Sequence, residues 1–350
     1  MNPQRILIVR TSAIGDVVFA SPFAAALRRS HPQAHIAWLV EPGIHELLAA
    51  DPNIDELILW PKGEWKRLGQ QSRFRELFGR VRAFSRMLKD KRFDTAIDLQ
   101  GLLKSGWLTW LTGAPRRIGL GSREGSQWLM TEVIPKGGDE RRISSEYLFL
   151  AEQLKLDVAE FLPQLFVADD TETRTRALMA GHGLVPGSYA VFAPFTTRPQ
   201  KHWFEDGWQA LAPLVHDELG LAPVILGGPA DREAAERMAA AAPGVLSLAG
   251  ATRLPEAAAL IRHAGLLIGV DTGLTHMGTA FNKPTVALFG STRPYLDTGR
   301  RNGRVIWLGL ECSPCRRRPT CSGAYTCLRD IRPERVLAEA RTALANGEQA

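Results

Sequence analysis

LLIGVDTGLTHMGTAFNKPTVALFG (266–290) reads as strand, turn, helix and strand in one short stretch. LLIGV (266–270) and TVALFG (285–290) are apolar on consecutive positions, so neither leaves a face for water, and both read as buried strands of a parallel sheet. Asp271-Thr272-Gly273 make the turn, and Thr275 and His276 fall in the first turn of the helix. A helix start offers unpaired N–H groups, and glycine lets an anion approach the main chain, so the stretch suits a diphosphate. His276 taken alone reads first as a packed or capping imidazole, and Asp271 as an N-cap. A cap that fixes this loop also fixes a phosphate site.

The pattern repeats on both sides. YAVFAPF (189–195), APVILGG (222–228) and VLSLAG (245–250) precede it, and RILIVR (5–10), HIAWLV (35–40), ELILW (56–60) and TAIDLQ (95–100) fill the first half. Helical stripes such as Trp208, Leu211, Leu214 and Val215 lie between the runs. Strand and helix in alternation, twice over, predict an α/β protein of two doubly wound domains. The boundary is sought in 158–188, around VAEFLPQLFVADD and the Pro186-Gly187 turn. RPERVLAEARTALANG (332–347) reads as an amphipathic helix ending at Asn346-Gly347. The expected organisation is therefore a first domain over 1–170, a second over 171–330 and a terminal helix over 331–350.

The 350 residues carry 43 Lys+Arg against 37 Asp+Glu, a formal +6, with 45% hydrophobic and 23% charged residues. That balance excludes a long disordered chain. No run approaches the ~18 apolar residues of a membrane span, and the opening MNPQRILIVRTSAIGD sets Arg10 and Asp16 where a signal peptide needs apolar residues. The expected location is the cytoplasm. Cys312, Cys315, Cys321 and Cys327 fall in one short window, whereas a secreted disulfide scaffold would spread its cysteines. Their C-x2-C-x5-C-x5-C spacing would allow four thiolates on Zn²⁺, but the gap is shorter than in ribbon-like zinc sites, so reduced thiols or a redox-sensitive pair, and no metal, are expected. Residues 62–92 hold eleven Lys/Arg against Glu64, Glu76 and Asp90, a local +8. This is either a solvated helix face or a surface for an anionic partner. No nucleic-acid motif accompanies it, so an anionic lipid headgroup or glycolipid is favoured over nucleic acid.

Three further loops follow strands. RTSAIGDVVFASP (10–22) lacks both GxGxxG and GxxxxGK[ST], which argues against a dehydrogenase or a P-loop ATPase. Asp16, read as opening the helix there, is either a cap or a carboxylate general base facing the cleft between the domains. In APFTTRPQKHW (193–203), Thr196 and Thr197 offer hydroxyl and N–H groups and Lys201 a point charge for a phosphate. In ILGGPADREAAER (225–237), Asp231 at a helix start is either a first-turn acid or an acceptor for ribose hydroxyls.

With these segments and DLQGLLKSG (98–106), the sequence resembles the bacterial ADP-heptose:lipopolysaccharide heptosyltransferases of glycosyltransferase family 9, closest to their heptosyltransferase I branch. The resemblance implies a GT-B fold, two Rossmann-like domains facing a central cleft, the first for acceptor and the second for donor. It implies that Asp16 is the catalytic base, that Thr196, Thr197 and Lys201 bind donor phosphates and sugar, and that Asp231 stands where the family usually has a ribose-binding Glu. Asp271, Thr272 and Gly273 would hold the diphosphate, with His276 close to the sugar. The implied reaction moves heptose from ADP-heptose to Kdo-lipid A, with inversion, no metal cofactor and peripheral contact with the inner membrane. Arg73, Arg75, Arg80 and Arg82 would then serve the acceptor surface. The cysteine segment is more like heptosyltransferase II. The alternatives kept open are that second transferase, another nucleotide-sugar transferase, and a non-catalytic nucleotide-binding module.

Overall fold

The computed structural model describes residues 4–315 and 318–347. They form two compact units, one of residues up to Glu140 with Ser144–Phe166, the other of Arg141–Ile143 with the residues from Val167 onward. The first contains β1 (Arg5–Val9), α1 (Ile14–Ser30), β2 (His35–Val40), β3 (Glu56–Leu59), α2 (Lys62–Gln70), α3 (Phe74–Asp90), β4 (Thr95–Asp98), α4 (Leu103–Leu111), β5 (Arg116–Leu120), β6 (Glu132–Ile134) and α5 (Ser145–Gln153). The second contains α6 (Asp169–Gly181), β7 (Tyr189–Ala193), α7 (Glu205–Leu219), β8 (Ala222–Ile225), α8 (Arg232–Ala241), β9 (Leu246–Ser247), α9 (Leu254–His263), β10 (Leu266–Val270), α10 (Gly273–Ala280), β11 (Thr285–Phe289), β12 (Gly303–Trp307), α11 (Thr326–Arg329) and α12 (Pro333–Gly347).

Each unit is built on a six-stranded sheet, ordered β3-β2-β1-β4-β5-β6 and β12-β11-β10-β7-β8-β9. All ten neighbouring pairs run parallel. Taken from its first strand, each sheet winds outward in one direction and then returns to start again on the other side. The reversal lies between β1 and β4 in the first unit and between β7 and β10 in the second, and in such sheets ligands bind beyond the carboxyl ends at that reversal. β4, β7 and β10 are buried along their whole length, which is why their sequences carry apolar runs.

Several expectations change. β5, β6 and β12 are strands the apolar runs did not single out, because RRIGL and GRVIW open on polar or small residues and β6 is three residues at a sheet edge. VLSLAG contributes only Leu246–Ser247 to pairing. The division falls at Phe166–Val167, not 170–171. The terminal helix is no separate piece: Val336, Leu337, Ala340 and Ala343 of α12 are buried in the second unit's core with Trp208 and Leu266. Residues 348–350 lie outside the described residues. No described helix is long and apolar enough to cross a membrane.

Candidate active site

In the first unit, β1 leads into α1, which begins at Ile14, so Asp16 lies within the first turn and does not open the helix. Its Oδ2 accepts the Ala13 N–H at 3.1 Å and meets Arg10 Nη2 at 2.7 Å. Oδ1 takes part in neither contact. One carboxylate oxygen thus holds the helix start and Arg10, while the other makes neither contact, on a side chain 46% exposed. Arg10 is 7% exposed and donates to the Leu99 carbonyl, so the guanidinium is fixed from the sheet side. Burial works against its charge, but Tyr147, Asp16, Glu146 and Asp98 outweigh that and stabilise the cation.

The neighbouring strand supplies the other side of the reversal. Asp98, fully buried, accepts the N–H groups of Gln100 and Gly101 at 2.9 and 3.1 Å and the Ser105 hydroxyl at 3.0 Å, which fixes the loop after β4. Gln100 in turn accepts the Thr11 hydroxyl at 2.9 Å and ties that loop to the one after β1. Gly101 has φ +66°, and a Cβ there would meet the Leu120 carbonyl at 2.3 Å, so only glycine fits. Lys104 begins α4 with a half-buried ammonium whose pKa is lowered by burial and by Lys62 and Arg10. Arg10, Lys62 and Lys104 therefore lie close enough to act on one another, with Arg10 paired to Asp16 and Lys62 to Glu41. Sequence reasoning quoted Lys104 and Arg10 inside motifs but gave them no role. The rule that ligands meet the carboxyl ends of adjacent strands would have found them.

The second unit assembles its residues around Asp271. Lys201 Nζ lies 2.7 Å from Asp271 Oδ2, and His276 Nε2 lies 3.3 Å from Oδ1. The Thr292 hydroxyl donates to Oδ2 at 2.5 Å. Burial alone would raise this carboxyl, but His276 and Lys201 outweigh it and hold the group well below the usual carboxylate range. His276, 3% exposed, has Nδ1 2.9 Å from the Tyr295 hydroxyl. Burial and the Asp271 charge push that phenol far above its ordinary value, so it keeps its proton. A carboxylate can only accept, so His276 Nε2 carries a proton toward Asp271 Oδ1.

Thr196 reaches the same residue from β7, its hydroxyl 3.4 Å from the Asp271 carbonyl, and His202 bonds back to the Thr196 carbonyl at 2.8 Å. The loop bearing Lys201 is anchored by Trp203, 3% exposed, whose Nε1–H donates to the Ile331 carbonyl at 3.1 Å. Thr272 is the residue before α10, and the N–H groups of Gly273 and Leu274 open the helix toward the strand end. A Cβ at Gly269 would meet Thr275 Oγ1 at 2.1 Å and Ala193 Cβ at 2.9 Å, so this glycine lets α10 close onto β10.

The structure thus brings Thr196, Lys201, Asp271, Thr272, Gly273 and His276 together. Thr197 is exposed on the same loop. Asp231 lies at the end of β8, beside β7, where its Oδ2 accepts the Gly228 N–H at 2.8 Å. Thr292 and Tyr295, from the loop after β11, were missed; they follow a strand whose apolar run ended the reading too early.

Cys312, Cys315, Cys321 and Cys327 line one small cavity with Ser291 and Tyr325 and are free thiols. Burial and the neighbouring cysteines push the Cys327 thiol up to about 11. Among the described residues no group of three or more His, Cys, Asp or Glu is arranged to hold a metal ion. Of the expected acceptor-surface arginines, Arg73 is paired with Glu76 and Arg80 with Glu64, while Arg75 and Arg82 make no ion pair among the described residues.

Comparison with known proteins places the chain in a family. The family described as glycosyltransferase family 9 (heptosyltransferase) matches residues 81–326. Lipopolysaccharide heptosyltransferase 1 of Pseudomonas aeruginosa is 30% identical over 91% of this chain and 88% of its own length. Lipopolysaccharide heptosyltransferase 2 of Escherichia coli is 28% identical over 99% of this chain and 100% of its own. Among solved structures, E. coli ADP-heptose heptosyltransferase II superposes with a TM-score of 0.77 at 27% identity, over 99% and 100% of the two chains. E. coli heptosyltransferase WaaC with ADP superposes with a TM-score of 0.71 at 26% identity, over 86% and 92%. The expected GT-B fold stands on these likenesses.

Proposed function

Since the chain belongs to glycosyltransferase family 9, the heptosyltransferases, we propose that it moves L-glycero-D-manno-heptose from ADP-heptose to the Kdo-bearing lipid A inner core, with inversion at the anomeric carbon. The observation that carries this reading is the Lys201–Asp271–His276 arrangement at the start of α10. Lys201 donates one of its three N–H groups to Asp271, which orients the ammonium and leaves two for phosphate oxygens. The N–H groups opening α10 add donors for the same diphosphate. As the bond from the anomeric carbon to the β-phosphate oxygen breaks, the electron pair stays on the phosphate, and Lys201 and the helix start balance the growing charge. A solved relative carries ADP, which supports a donor of this class.

On the acceptor side, Asp16 Oδ1 removes the proton from the attacking hydroxyl, and that oxygen forms the new bond to the anomeric carbon. Arg10, Lys62 and Lys104 suit the carboxylates and phosphates of such an acceptor. Asp231 accepts from the ribose hydroxyls, and Thr196 and Thr197 bind donor phosphate and sugar. In this reading the residues themselves balance the charge and no metal is required. The enzyme works at the cytoplasmic face of the inner membrane, where its lipid acceptor is held.

A second reading, addition of the second heptose, is favoured by one observation: type 2 relatives align over 98–99% of this chain, whereas the type 1 relatives of E. coli align over 87%. Incubation with ADP-heptose and Kdo-lipid A acceptors bearing no heptose or one, read by mass spectrometry, separates the two. Product from neither would leave only nucleotide binding.

A further inference from the structure

The face that α3 turns to the interior follows from Leu77, Val81, Phe84 and Leu88, at helical spacing, which pack on the first unit's core. Phe74 and Phe78 are not part of that stripe. They are 64% and 68% exposed, one turn apart on the helix. An isolated exposed phenylalanine is ordinary; two on successive turns of one helix form a patch. Arg82 continues their i, i+4, i+8 row, and Arg75, Arg82 and Lys89 form an adjacent row at heptad spacing. These three cations are exposed and make no ion pair among the described residues, whereas Arg73 and Arg80 are paired at home.

We propose that this flank of α3 docks on an anionic lipid bilayer, with the Phe74 and Phe78 rings entering the headgroup layer and Arg75, Arg82 and Lys89 meeting lipid phosphates. The inference deepens the membrane-side reading above and rests on it. Charge selects the occupant: apolar rings fringed by unpaired cations within a segment of local +8 match an anionic interface, and the cations would be left uncompensated against a purely apolar partner. Aromatic side chains tolerate the boundary between headgroups and acyl chains, so the rings gain burial without the helix leaving the protein.

The test is co-sedimentation of the full chain with phosphatidylcholine vesicles made with or without phosphatidylglycerol. Binding is expected to the anionic vesicles, to be weak to neutral ones, and to fall when salt shortens the screening length. The double variant Phe74→Ser/Phe78→Ser should lower partitioning by about tenfold or more. Phe74→Leu/Phe78→Leu should retain it, and Val185→Ser, at a 61% exposed apolar residue of the second unit, should change nothing. Unchanged vesicle binding by the serine double variant overturns the proposal. So does a chain that self-associates through these rings, seen as a dimer that the serine variant converts to monomer without altering vesicle binding. Transfer to a soluble acceptor lacking acyl chains should be equal in wild type and the serine variant, while transfer to vesicle-held acceptor should fall. A chain that binds vesicles through the rings but transfers no heptose removes the proposed function and leaves this inference standing.

Discussion

Arg10 holds Asp16 by a single oxygen: Nη2 lies 2.7 Å from Oδ2, the oxygen that also accepts the Ala13 N–H. Asn at position 16 can keep the N–H contact through its amide oxygen but cannot take a proton. Asp16→Asn should therefore lower turnover by at least about 100-fold. Calorimetry should find ADP affinity within about twofold of wild type. Equal loss of both would show that Asp16 shapes the fold and does not act as a base. Asp16→Ala should match it in turnover and also lose the contact to the Ala13 N–H that helps hold the helix start, lowering the melting temperature.

Lys201→Ala should weaken ADP and ADP-heptose binding by about 10- to 100-fold, the range for one charge-assisted hydrogen bond, and leave acceptor KM unchanged. An effect confined to acceptor KM would remove Lys201 from the donor site.

Asp271 makes stability depend on acid. Its folded pKa lies below the unfolded value, so between the two the unfolded chain binds more protons and stability rises with pH. The contribution is present above about pH 4, the unfolded carboxylate value, and is lost as pH falls toward the folded one. Urea titrations from about pH 7 to about pH 3 should show wild type losing stability over the acidic end more steeply than Asp271→Asn. Parallel curves would contradict the coupling of Asp271 with His276 and Lys201.

Gly269→Ala places a methyl group against Thr275 Oγ1 and Ala193 Cβ within β10. The expected cost is about 1–3 kcal/mol, with α10 displaced, so the melting temperature and ADP affinity should fall together. A variant that melts lower but binds ADP normally would show that α10 does not shape the donor site.

The winding of both sheets was legible because the strands at each reversal are buried on both faces, which forces continuous apolar runs such as LLIGV and YAVFA. GRVIW lies at a sheet edge, where no such constraint holds, and RRIGL, though paired on both sides, opens on two arginines that interrupt the apolar run. Within the site, Lys201, Asp271 and His276 announced themselves by following strands at glycine or threonine turns. Their mutual pairing did not, since it depends on the register of β7 against β10. Tyr295 illustrates the limit best: no local pattern marks a phenol whose task is to fix an imidazole nineteen positions earlier in the chain. The charge of 62–92 was visible as a sum, but which arginines are spent on Glu64 and Glu76 is a matter of side-chain geometry.

The Trp203–Ile331 hydrogen bond has a consequence for biosynthesis. Domains generally fold as units during translation, and the first unit has all its strands once Phe166 has left the ribosome. The second unit must wait longer. Its core needs Val336, Leu337, Ala340 and Ala343, and the loop that carries Lys201 is pinned to a carbonyl at position 331, so the proposed donor site is completed late, when α12 has emerged. Ribosome-stalled chains ending before Pro333 should contain the first sheet and its Asp16 yet retain no ADP.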